Sequence, residues 1–132
     1  MATWLHSDVL DNGFAYLKNN CNSILLIAAY SAGDSYATVV SNSVCAVTVD
    51  NTDFTIADNG SFAGSRKISV GAQSGTASAN SGASPDLHFA YVDSVGSKVL
   101  GVTDETSDQV ITSGNPVSFP ALDPLFTFKQ PT

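Results

Sequence analysis

From Ser23 to Phe128 the apolar residues come in short runs, each cut off by Gly, Ser, Asn, Asp or Pro, and this punctuation leaves little room for helices. The runs are Ile24–Tyr30, Val44–Val49, Phe54–Ala57, Lys67–Ala72, Leu87–Asp93, Lys98–Thr103, Gln109–Thr112, Val117–Phe119 and Leu125–Phe128. Several alternate with the two-residue period of a strand: Val47 and Val49 fall on one side and Thr48 on the other, and Phe54 and Ile56 flank Thr55. Many short strands with frequent turn signals predict an all-β chain, a sandwich or a barrel. A parallel sheet would need repeated crossover helices, so the strands are expected to be antiparallel. Asp93-Ser-Val-Gly-Ser-Lys98 reads as a hairpin connection in which Gly96 is free to take positive φ.

One segment, about 7–20, reads as a helix. Ser7 suits its cap, Asp8 and Asp11 suit its positive end, and Lys18 its negative end. Val9, Leu10, Phe14 and Leu17 form its apolar stripe, and Gly13 weakens it by ~1 kcal/mol relative to alanine. Two stretches read as exposed loops: Tyr30–Asn42, and Gln73–Pro85, which is almost wholly small and polar. The second is too short to separate domains, and no repeat is present, so residues 1–132 are expected to form a single domain around one core.

Charge and composition exclude several functions. Hydrophobic residues make up 43% of the chain and charged ones 13%, too apolar a balance for disorder. The net charge is −7, and the basic residues Lys18, Arg66, Lys67, Lys98 and Lys129 are scattered apart from one adjacent pair. Phosphate backbones would be repelled, so nucleic acid is not an expected partner. Ile24–Tyr30, the longest apolar run, falls far short of the ~20 residues that span a bilayer, and no membrane partner is expected. Met1-Ala-Thr-Trp-Leu-His-Ser-Asp8 has neither the basic nor the apolar region of a secretory signal, which predicts synthesis in a cytoplasm. Cys21 and Cys45 are accordingly expected to be free thiols.

The reactive side chains do not form a recognisable constellation. Only His6 and His88 could serve a nucleophile, and neither a G-x-S-x-G elbow nor a cysteine signature accompanies them. Cys21, Cys45, His6 and His88 lack zinc-like spacing, while Asp50-Asn-Thr-Asp53 and Asp104-Glu105 with Asp108 do not fit a calcium loop and read as solvated turn acids. The expectation is therefore a protein that is not an enzyme and uses no cofactor or metal. Arg66-Lys67 opens a strand and reads as a solvated strand end or as an ion-pairing contact with an acidic partner. Trp4, just ahead of the helix, either caps the core or anchors an interface.

Trp4-Leu-His-Ser-Asp-Val-Leu-Asp-Asn-Gly13 with Tyr16-Leu17 resembles the start of a family of small virion proteins of tailed bacteriophages, the head decoration or capsid cement proteins. Tyr36-Ala37, Gly64-Ser-Arg-Lys-Ile68, His88-Phe-Ala-Tyr-Val-Asp93, Val99-Leu100 and Gln109-Val-Ile-Thr-Ser-Gly-Asn115 leading to Phe119-Pro-Ala121 resemble its later blocks. The likeness spans nearly the whole chain, with structural rather than chemical motifs, and departs at 30–43, where Ser31-Ala-Gly-Asp-Ser35 replaces a Thr/Pro-rich loop. It implies a jelly-roll-like β-sandwich that binds the outside of the shell of major capsid protein as a dimer or trimer and stabilises it. Trp4, Leu5, His6, Tyr36, Arg66 and Lys67 would be its capsid or subunit contacts. Leu125, Phe126 and Phe128 are also possible anchors, although alternate aromatics on a strand favour a final core strand. The other reading of such a sandwich is a carbohydrate- or receptor-binding module of a tail or vertex, which would need exposed Tyr30 or Tyr36 beside Asp34.

Overall fold

A computed structural model describes residues 13–58 and 66–128, together with the backbone of Trp4–Leu5. The strands are β1 (Trp4–Leu5), β2 (Ser23–Ile27), β3 (Ser43–Thr48), β4 (Phe54–Asp58), β5 (Arg66–Val70), β6 (Gln73–Thr76), β7 (His88–Asp93), β8 (Lys98–Asp104), β9 (Pro116–Phe119) and β10 (Leu122–Phe128). Two short helices, α1 (Phe14–Asn20) and α2 (Tyr36–Ser41), and a 3-10 turn at Asn51–Asp53 complete the described elements. Every strand pairing among the described residues is antiparallel. The sheets run β1-β8-β7-β2-β3, β10-β5-β4 and β6-β9, an antiparallel arrangement consistent with a β-sandwich.

The five-stranded sheet is covered on both faces. On the inner face Ile24, Leu26, Cys45, Val47, Phe89, Tyr91 and Leu100 meet Phe54, Ile68, Val70, Leu125 and Phe126 of the three-stranded sheet, Val117 and Phe119 of the two-stranded sheet, and Phe14 and Leu17 of α1. Ring contacts join the layers: Tyr91 meets Phe126 edge-on at 6.2 Å and Phe89 meets Phe119 at 5.3 Å. On the outer face Leu25, Ile27, Ala90, Val92, Val99 and Val102 gather around Tyr30 and Val39. Burial on both faces explains why β2 and β7 read as continuous apolar runs rather than alternating ones.

Several expectations change against this frame. Gly13 sits at φ 70 and ψ −164, outside the helical region, so the described helix starts at Phe14; residues 7–12 of the expected helix lie outside the described residues. The 30–42 loop contains α2, capped by the Ser35 side chain, which accepts from the Thr38 amide, and fixed by the fully buried Val39. A second helix therefore joins the one expected. The 73–85 loop opens with β6, which lies against β3 where Gly75 lets the chains approach: a Cβ there would come within 2.9 Å of Val47 Cγ1 and 3.1 Å of Cys45 Sγ.

Gln109–Thr112 is not a strand, because its backbone bonds go to a loop. The Ser81 amide donates to the Ile111 carbonyl (2.9 Å), and the Ile111 amide donates to Ser81 Oγ (2.8 Å). In the Asp93–Lys98 hairpin it is Ser97, at φ 56, that takes positive φ. Gly96 is needed there for space, since a Cβ would lie 2.8 Å from Asp93 Oδ2 while Asp93 Oδ1 accepts from the Val95 and Gly96 amides.

Candidate functional site

The most chemically loaded place among the described residues is the entrance to β7. Hydrogen bonds tie the chain down just before it: the Asp86 amide donates to the Ala28 carbonyl (3.0 Å), and the Leu87 amide to Asp108 Oδ1 (2.8 Å). His88 follows as the first residue of β7, fully buried, with the Tyr30 ring 5.5 Å from its own. Directly across the ladder stands Asp104, the last residue of β8. Imidazole Nδ1 lies 3.1 Å from the Asp86 carbonyl oxygen and 4.0 Å from Asp86 Oδ1, and Nε2 lies 3.5 Å from Asp104 Oδ1. One donor atom from each of Asp86, His88 and Asp104 falls within 4.8 Å of the other two.

A β-bulge makes this juxtaposition. Counted straight back from the Asp93↔Lys98 pair, His88 would face Thr103; the register shift between Tyr91 and Val92 inserts one residue of β8 and brings Asp104 opposite instead. The same insertion puts Val99 and Val102 on one face of the sheet. Sequence spacing alone placed Asp104 among solvated turn acids, and its side chain is in fact only 15% exposed. Its neighbours behave as turn acids do: Glu105 Oε1 accepts from the Ser107 amide, Asp108 from Leu87, and Asp50 and Asp53 form a reciprocal capping box.

The contact residues expected from sequence do not converge. Trp4 and Leu5 pair through their backbones with Val102 and Gly101 at the sheet edge, and their side chains, like His6 as a whole, lie outside the described residues. Tyr36 is half-buried against the outer-face cluster. Arg66 and Lys67 stand on the other side of the fold, at the start of β5. Lys67 Nζ is held 2.7 Å from Asp123 Oδ1 within the chain. That ion pair and a hydrogen bond from Ser69 keep the Asp123 carboxyl below the usual carboxylate range. Phe126 is a core residue, as expected of a final strand, and Phe128 stacks on Phe14 at 4.2 Å.

Other chemistry is damped by burial. Cys21 and Cys45 are free and buried, and desolvation pushes the Cys21 thiol up to about 12 and raises Cys45 as well, which makes both poor nucleophiles. Tyr30 is 9% exposed, with its hydroxyl accepting from the Gly33 amide, so it offers no open face for a sugar to stack on. A groove of about 160 Å³ runs along Gln109–Thr112 and Asn115–Val117. It is smaller than the ~300 Å³ at which small-molecule sites begin. No helix among the described residues is long and apolar enough to cross a membrane. No family model, curated protein or solved structure matches this chain.

Proposed function

We propose that this chain is a capsid decoration, or cement, protein that binds the outside of a tailed-bacteriophage head and stabilises its shell of major capsid protein. The observation that carries the reading is the series of family-like blocks from Trp4 to Ala121. Within the fold, His88–Asp93 and Val99-Leu100 supply β7 and part of β8, while Gln109–Asn115 runs along the surface with Val110 59% exposed. A sheet frame that presents an apolar-tipped surface segment suits a protein that works by docking. The acidic balance, −7 overall, keeps free subunits apart and soluble before assembly.

The mechanism is mechanical. Each copy, as a dimer or trimer, bridges neighbouring capsomers, and many modest contacts repeated over the lattice resist internal pressure without any single tight site. Purified protein mixed with expanded, undecorated heads should co-sediment in hundreds of copies per particle and raise the temperature at which the heads release DNA. Failure to bind the heads, or binding in only a few copies at a tail or vertex, would overturn the proposal.

A further inference from the structure

We propose that the tip of the β7–β8 hairpin is where this protein plugs into its partner, with Val95 as a knob that enters an apolar pocket on the major capsid protein. The choice of partner rests on the capsid reading. Val95 is 90% exposed, against 59% for Val110 and 44% for Val40, the other large apolar side chains standing in water among the described residues. A single exposed apolar residue is ordinary. What sets Val95 apart is the stem that carries it.

Asp93, at the base of the tip, is 9% exposed, and its Oδ1 accepts from both the Val95 and the Gly96 amides at 3.1 Å. Asn22 grips the tip from the side: its Oδ1 accepts from the Ser94 amide (3.0 Å) and its Nδ2 donates to Ser94 Oγ (2.8 Å). The Asn22 backbone is itself pinned, its amide donating to the Val92 carbonyl and its carbonyl accepting from the Val49 amide, each at 3.1 Å. Ser97 closes the turn at φ 56, a conformation that residues other than glycine rarely adopt. A largely buried carboxylate, an asparagine and a serine in left-handed backbone are thus committed to holding one valine fixed in water. An apolar side chain already held in place loses little freedom on binding, which is the property of an interface anchor.

The chemistry of the tip narrows what it can enter. Ser94, Val95, Gly96 and Ser97 are all exposed and uncharged. The charged residues that flank them turn to the chain itself, Asp93 to the two amides and Lys98 Nζ to the Tyr16 hydroxyl at 2.9 Å. In a chain of net charge −7 such a tip can meet another surface without bringing its charge along. One apolar side chain ringed by serines matches a pocket on a protein, apolar at its floor and polar at its rim. A lipid surface would call for several apolar residues with basic ones beside them.

Val95→Thr keeps the shape of the side chain and exchanges a methyl group for a hydroxyl. It should leave the urea midpoint unchanged, because the site is exposed, and raise by ~10-fold the protein concentration that half-fills expanded, undecorated heads. Val95→Asp, which would bury a charge in the pocket, should raise it by ~100-fold or more. Variants that fill the heads as the wild type does would overturn the knob and leave the cement reading standing, whereas wild-type protein that does not bind heads would overturn both. Self-association of the wild type in analytical ultracentrifugation that Val95→Asp abolishes, with head binding intact, would give the pocket to a second copy of this chain and overturn the capsid protein as its owner.

Discussion

Gly75→Ala tests how closely the two-stranded sheet is pressed onto the five-stranded one. The added methyl would sit 2.9 Å from Val47 Cγ1 and 3.1 Å from Cys45 Sγ, both on β3. Neither neighbour yields easily: Val47 is β-branched and 7% exposed, and Cys45 is fully buried. Restoring ordinary contact requires a shift of about half an ångström in a close-packed region, the kind of overpacking that costs ~1–3 kcal/mol. Alanine also restricts the unfolded chain, which returns ~0.4–1 kcal/mol. The net expectation is a loss of ~0.5–2 kcal/mol, read as a lower urea midpoint at unchanged slope. Val47→Ala removes the closer obstacle, so in that background Gly75→Ala should cost much less. Equal penalties in both backgrounds, or a stabilised single variant, would refute the contact.

Phe126→Ala should destabilise by ~3–5 kcal/mol in the same assay, because it empties a buried position and removes the edge contact to Tyr91; a loss below that of an average surface substitution would place Phe126 outside the core. Cys21 and Cys45 should resist a thiol reagent at pH 8 in the folded protein and react fully in denaturant, since both are buried and the Cys21 thiol is pushed up to about 12. Rapid labelling without denaturant would contradict their burial. The Asp123 carboxyl, lowered by Lys67 and Ser69, should titrate below an ordinary aspartate by carbon NMR, and Lys67→Ala should move it upward. Because its folded value is depressed, the stability it lends is present above the unfolded carboxylate value and is lost as pH falls through the folded one.

The all-β class and eight of the nine expected strand positions were legible because Val, Ile and aromatic runs need only local chemistry to declare themselves. What escaped was set by partners. Gln109–Thr112 has strand-like residues, yet its bonds go to Ser81 in a loop. Gln73-Ser-Gly-Thr76 has almost no β signature and becomes a strand through its pairing with β9 and the approach that Gly75 permits. The six-residue α2 is too short and too β-branched to show helical periodicity. The His88–Asp104 pair was hidden for a geometric reason: the hairpin could be read, but the bulge that slides β8 by one residue leaves no mark in sequence.

The interior place of β2, between β3 and β7, shapes how the chain must acquire its structure. β2 pairs with β3 nearby, but its other neighbour is β7, and the Ser23↔Val92 contact spans 69 residues (92 − 23). Closing so long a loop costs entropy before the sheet returns any burial, which places folding in the slow, millisecond-to-second range of β proteins. During synthesis the β2–β3 hairpin would wait with an apolar edge open until β7 and β8 had left the ribosome. Once closed, the same arrangement should make the β2 and β7 amides the last to exchange with deuterium, since they open only when the whole sheet does.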